Sequence, residues 1–173
     1  ACAGTLVKYK KQGHHVVVCH MTNGNMGHVI IEPDELGEIR KAEAKKAGSI
    51  AGIEVITCDV GDLVVYDNKE QRDMVVDVIR YVKPDVIITH SPTDYMPDHV
   101  AVSKLVFDAS FAASVPHYGR GEAAGLTPIY YMDTLAGVNF QPTEYVDISE
   151  EIDMKLEMLE CHQSQLKWMR DHD

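Results

Sequence analysis

The sequence is short of basic residues, of cysteine and of long apolar runs, and each shortage removes a class of function. Sixteen Lys and Arg stand against twenty-seven Asp and Glu, a formal charge of −11, with the acidic residues spread along the chain rather than gathered into a tail. Nucleic acid is not an expected partner, because phosphate binding needs clustered Lys and Arg. The longest apolar stretches, such as Val16-Val17-Val18-Cys19 and Val86-Ile87-Ile88, fall far below the ~20 residues that a membrane-crossing helix needs. No membrane span is expected. Cys2, Cys19, Cys58 and Cys161 are scattered, with no CxxC spacing. They read as small buried hydrophobes in a reducing compartment, by default the cytoplasm, rather than as a disulfide or zinc-knuckle framework. The chain also has no initiator Met, no signal-peptide pattern and no cap before its first helical segment, and it reads as cut.

What is present is one domain's worth of alternating strands and helices, taken here as 1–173, with 45% hydrophobic residues and room for a substantial core. Residues 1 to 12 read as the remainder of a helix that Gly13 ends. A strand over His14–His20 leads into the Gly-containing loop Thr22–Gly27, and a helix capped by Asp34 runs to about Ala51. Ile53–Cys58 is a strand. Asn68, with Gln71 three residues on, caps a helix that carries Met74, Val75, Val78 and Ile79 on one face and stops at Lys83-Pro84. Asp85–His90 is the next strand, followed by a helix from about Asp98 to Ala113. Pro116–Thr127 is a Gly-bearing loop of mobile or variable character. Ile129–Met132 and Glu144–Asp147 read as strands, and Ser149 caps a terminal helix of about twenty residues with Ile152, Leu156, Leu159 and Leu166 inward.

This alternation predicts an α/β fold, a Rossmann-like doubly wound and mainly parallel sheet with helices on both faces. A helix that opens such a chain leaves its preceding strand unaccounted for, so the first strand is expected to be missing.

Chemistry concentrates in Thr89-His90-Ser91-Pro92-Thr93-Asp94-Tyr95-Met96-Pro97-Asp98-His99, at the carboxyl end of a buried strand, where open α/β sheets meet their ligands. The neutral imidazole of His99 suits zinc or another divalent transition ion. On residues alone, Asp98-His99 fits a helix cap with an exposed neighbour equally well. Asp98 either caps the helix or orients a catalytic group as a nearby carboxylate. Tyr95 offers a phenol suited to an oxyanion. Asp94 reads first as an Asx-turn residue and second as a ligand for a sugar hydroxyl. Arg40 and Glu43 lie three apart on one helix, so a local ion pair comes before substrate binding by Arg40. Asn23 sits in a loop after a strand, as a ligand contact or an ordinary connector. His90 is expected to satisfy its ring through backbone bonds, and His162-Gln163-Ser164-Gln165 to form a wet helix face. The remaining histidines show no ligand spacing.

Taken in order and spacing, Gly4-Thr5-Leu6, Thr22-Asn23-Gly24, Arg40 to Glu43, Pro84-Asp85-Val86-Ile87, Pro97-Asp98-His99, Val146-Asp147-Ile148 and His162-Gln163-Ser164-Gln165 resemble the LmbE/PIG-L-type de-N-acetylases. These are zinc-dependent enzymes that remove acetyl groups from N-acetylglucosaminyl conjugates and related amides. The resemblance implies that His99 is a metal ligand, that Asp98 is its acidic partner and that Arg40 lies near the substrate, a small N-acetylated sugar conjugate. It also implies zinc-activated water attacking the acetyl carbonyl, with an aspartate as base. Two features depart from the family. Its His-Pro-Asp-Asp motif, which supplies one His ligand, one Asp ligand and the base, has no counterpart in this sequence and would precede Ala1. Met96 replaces the histidine that helps polarise the scissile carbonyl, and a thioether cannot donate a hydrogen bond, which leaves Tyr95 or another group to serve. His99 alone cannot form an open zinc site, which takes three protein ligands, so a chain complete as given would be inactive. A metal-free sugar-binding or scaffold relative is the alternative. An unrelated nucleotide-binding domain is disfavoured, since no GxGxxG follows a strand. Oligomeric state is left open, a homo-oligomer included.

Overall fold

A computed structural model describes residues 2–172 of the chain; the expected start of the first helix at Ala1 and the side chain of His172 lie outside the described residues. Among the described residues, six helices and four strands follow one another as α1 (Ala3–Lys11), β1 (Val17–Thr22), α2 (Pro33–Ile50), β2 (Glu54–Val60), α3 (Lys69–Val82), β3 (Ile87–His90), α4 (Pro97–Ser114), β4 (Ile129–Met132), α5 (Ile152–Glu160) and α6 (Gln163–His172). The pairings are parallel, β1 with β2 and β3 with β4, as the alternation of strands and helices requires. The chain is α/β, as its sequence implies. No helix among the described residues is long and apolar enough to cross a membrane.

The residues form two compact units, one over Leu63–Thr143 and the other over Cys2–Asp62 with the stretch from Glu144 onward. In the first unit, Val75, Val76 and Ile79 of α3 and Leu105, Ala109 and Ala113 of α4 are buried. The two alanines, four apart, let the helices approach closely. Asn68 caps α3 as its sequence indicates, accepting the Gln71 N–H at 2.9 Å. Helix α4 begins one residue earlier than expected, with Pro97 at the position where a missing N–H costs nothing. The loop after it is tied down. Arg80, 6% exposed, donates to the carbonyls of Ala113, Val115, Arg120 and Gly121 at 2.7–3.1 Å. A buried guanidinium is tolerated because so many of its donors are met by backbone oxygens, two of them near the negative end of α4.

In the second unit, Val7, Val16, Met21, Leu36, Ala47, Ile53 and Cys161 form the core. Helix α2 starts at Pro33 rather than at an Asp34 cap, and its first turn carries Asp34 and Glu35, which favour the positive helix end. Near its other end, a Cβ on Gly48 would sit 2.4 Å from Val55 Cγ2 and 2.8 Å from the Ile53 carbonyl oxygen, so α2 rests directly on β2. Gly4 of α1 is spoken for in the same way by Ile148, at 2.5 Å. Between β1 and β2 the register gains one residue, His20 facing Thr57 but Thr22 facing Val60, and Asp59 takes φ +60° at the bulge.

Several expectations fail here for identifiable reasons. Glu144–Asp147 is not a strand: Tyr145 and Val146 are exposed, and the Asp147 carboxylate instead receives the N–H and hydroxyl of Ser149. Ser149 therefore caps nothing, and Glu151 flanks α5, its carboxylate 3.0 Å from Lys11 Nζ. The terminal helix breaks at Cys161–His162 into α5 and α6, leaving Ile152, Leu156 and Leu159 exposed and Leu166 half-buried. Cys161 is buried as expected, but Cys19 is exposed and Cys19 and Cys58 lie Sγ to Sγ at 3.7 Å across neighbouring strands. Because the Gly48 contact is with backbone as well as side chain, Gly48→Ala is expected to destabilise the fold by about 1–3 kcal/mol, read as a lower urea midpoint at unchanged slope.

Candidate functional site

The loop between β3 and α4 folds on itself through Asp94. Its Oδ1 accepts the Met96 N–H at 3.0 Å, an Asx turn of the kind its sequence suggests, and its Oδ2 lies 3.0 Å from Nδ1 of His99. The Asp94 side chain is 1% exposed and that of His99 28%. Burial alone would raise the Asp94 carboxyl, but the Met96 N–H and the His99 ring outweigh it, so Asp94 titrates below the ordinary carboxylate range. Both oxygens of Asp94, the candidate for a sugar hydroxyl, are engaged within the loop, and its side chain is sealed from solvent.

His90, at the end of β3, does not behave as the sequence implies. Its ring lies face to face with that of His99, centroids 3.9 Å apart and planes 12° from parallel. Burial, then the neighbouring His99, lowers its pKa to about 4, so His90 is neutral near pH 7. Tyr95 meets His99 edge-on at 6.3 Å and is half-exposed. His90, Asp94 and His99 together are the metal-capable group found among the described residues, each with a ligand atom within 4.8 Å of the others. Sequence spacing missed His90 because positions 90 and 99 meet only once the loop has folded back.

Asp98 is buried, and its carboxylate is used locally, accepting the Leu63 N–H at 2.7 Å where Leu63 holds φ +65°. Left-handed backbone is costly for leucine, and this bond helps to hold it. Asp98 is thus neither bonded to His99 nor a helix cap.

The other expected site residues gather in the second unit, around a cavity of about 290 Å³ whose lining includes His20, Asn23, Arg40, Glu43, His162 and Gln165. The expected Arg40–Glu43 ion pair is replaced by longer reaches. Arg40 donates to the carbonyls of Gly24 and Gly27 and to Gln165 Oε1, at 2.5–2.9 Å, clamping the loop after β1. Glu43 accepts the N–H and hydroxyl of Ser164 at 2.7 and 2.8 Å, capping the first turn of α6 from outside the helix. Asn23 spends both ends of its amide within the chain, donating to Asp59 Oδ1 and accepting the Asn25 N–H. Ser164 and Gln165 of the expected wet face thus dock on α2, while Gln163 stays exposed.

A family model described as PIG-L: GlcNAc-PI de-N-acetylase matches residues 1–110. The chain belongs to the PIG-L family. It is 31% identical to a diacetylchitobiose deacetylase of Thermococcus kodakarensis, covering 94% of this chain and 63% of that protein. A 4-oxalmesaconate hydratase of Pseudomonas putida is 25% identical, covering 91% and 66%. Among solved structures, a conserved protein of Thermus thermophilus superposes with a TM-score of 0.85 at 27% identity, over 95% of this chain and 73% of that one. An N,N'-diacetylchitobiose deacetylase of Pyrococcus horikoshii, at 23% identity and a TM-score of 0.83, shares the fold over 94% and 64%. The chain thus spans about two thirds of the length of these curated relatives. Within this PIG-L chain, Glu43→Ala is expected to cost about 1–2 kcal/mol, with faster amide hydrogen exchange concentrated in α6 rather than α3.

Proposed function

We propose that the protein is a metal-dependent hydrolase that removes the acetyl group from an N-acetylglucosaminyl conjugate or a similar N-acetylated small molecule. The observation that carries this reading is His99, a half-buried imidazole with Nδ1 turned to a sealed carboxylate. Its donor chemistry fits a borderline divalent ion such as zinc, and the matching relatives include proteins named as deacetylases of diacetylchitobiose and of an acetamido-deoxyglucopyranoside of inositol. A cation at His99 would polarise the amide carbonyl and lower the pKa of a coordinated water.

The chain's own residues then have separable tasks. His99 offers Nε2 as a ligand while Nδ1 stays with Asp94. Tyr95, half-exposed beside His99, supplies a phenol O–H for the developing oxyanion, the hydrogen bond that Met96 cannot donate. Asp98 fixes the Leu63 turn, and Arg40 holds the Gly24–Gly27 loop of its own unit, where it remains a candidate substrate contact.

A second reading is favoured by the hydratase relative: the same scaffold adds water to a substrate other than an amide. Incubation of the full-length protein with N,N'-diacetylchitobiose and zinc separates the two. Deacetylation is expected to release acetate stoichiometrically with free amine, to stop on chelation, and to fall by at least about 10²-fold in His99→Ala, while Tyr95→Phe lowers kcat by about 10–10²-fold with KM nearly unchanged. Failure to release acetate, together with hydration of an unsaturated acid, would favour the hydratase reading.

A further inference from the structure

Three metal-capable side chains around one point invite the conclusion that all three bind one ion. The geometry points elsewhere. A metal bonds to imidazole along the lone pair, in the plane of the ring, at ~2.0–2.1 Å for zinc. The rings of His90 and His99 are nearly parallel and 3.9 Å apart at their centroids. Their lone pairs therefore lie in separate, nearly parallel planes, and an ion well placed for one ring lies off the plane of the other. Asp94 is committed too: one oxygen takes the Met96 N–H, and the other stands at an ordinary N–H···O distance from Nδ1 of His99. An acceptor-only carboxylate at that distance calls for a proton on Nδ1. A protonated nitrogen is no ligand, so Nε2 is left with the lone pair.

Resting on the reading that His99 holds a cation, we infer that Asp94 is a positioning residue that fixes His99 as its Nδ1–H tautomer, and that His90 is a stacking wall rather than a third ligand. Together they leave one edge of the His99 ring, the Nε2 edge, to meet an ion. The pairing resembles the carboxylate–histidine–metal arrangements in which the outer carboxylate sets ring orientation and raises ligand basicity. Here that carboxylate comes from the turn five residues before the ligand, so the Asx turn that shapes the loop is also what aims the ring.

The test is the tautomer itself, read by long-range ¹H–¹⁵N correlation spectra of the metal-free, ¹⁵N-histidine-labelled full-length protein above the imidazole pKa, and then by zinc titration of the same samples. His99 is expected to carry its proton on Nδ1. Asp94→Ala is expected to move it to Nε2, the form that histidine favours in water, and to weaken zinc binding at that ring about ten- to hundredfold. Asp94→Asn, which keeps an acceptor oxygen and guards against loss of the fold, is expected to retain the Nδ1–H form with an intermediate affinity. His90→Ala is expected to leave the tautomer unchanged and zinc affinity within about threefold, well short of the loss of a protein ligand. An Nε2–H form in the parent protein, or an unchanged tautomer in Asp94→Ala, overturns the inference. So does a loss in His90→Ala as large as that in Asp94→Ala, which would mark a three-ligand site. Absence of zinc binding by the parent protein would instead remove the metal-dependent function, while the spectra still decide whether Asp94 sets the tautomer.

Discussion

A carboxylate sealed from water must be met by donors, and in the loop between β3 and α4 that requirement organises everything else. Asp94 is met by the Met96 N–H and by the ring of His99. The first closes the loop so that Pro97 can start α4; the second brings position 99 back against the end of β3, where His90 covers one face of its ring. Removal of either donor would leave a buried charge under-satisfied, at a cost of the order of 1–3 kcal/mol. The turn, the helix start and the orientation of the candidate ligand are thus one cooperative unit.

The segments that mark the chain as a PIG-L member serve largely as scaffold in this structure. Gly4 makes room for Ile148, and Lys8 donates to the Asp147 carbonyl, so two distant motifs are one contact. Arg40 joins a loop to Gln165 of α6, and Glu43 caps α6. The Thr-Asn-Gly segment is held by Asp59, which the bulge in β2 turns towards it and towards Lys41. Sequence motifs at the ends of strands mark places where chains must cross closely, and such crossings frame a site as much as they perform its chemistry.

Local rules made much of the fold readable. The Asn68 cap, the apolar face of α3 and the stop at Lys83-Pro84 depend on neighbours within a few residues, and they stand where the sequence puts them. Boundaries drifted by one to three residues in β1, β2 and α2, where hydrogen bonding rather than composition decides the ends. What escaped depends on distant partners. The break at Cys161–His162 needs Glu43, more than a hundred residues away, to offer the first turn of α6 a cap. Glu144–Asp147 has strand-like residues but no neighbouring strand to pair with among the described residues. His99 was visible as a candidate ligand because its motif is contiguous; the stack with His90 and the double use of Asp94 arise only from the folded loop.

The fourfold grip of Arg80 on the backbone between Ala113 and Gly121 divides the following loop into a root and a tip. The root is covalently short and electrostatically anchored, so its path is set by the helix pair beneath it. Beyond Gly121, Ala124 is buried with its N–H on the Ala113 carbonyl at 2.9 Å, so the tip narrows to Glu122, bridged at the surface by Lys83, and to Leu126, which is 74% exposed. Loop-closure entropy rises slowly with length, so residues added at the tip would tax the fold little while the anchor holds. Evolution thus has, in one arginine, a hinge-free mounting point on which the rim of this unit can be lengthened or retailored without disturbing α3 and α4.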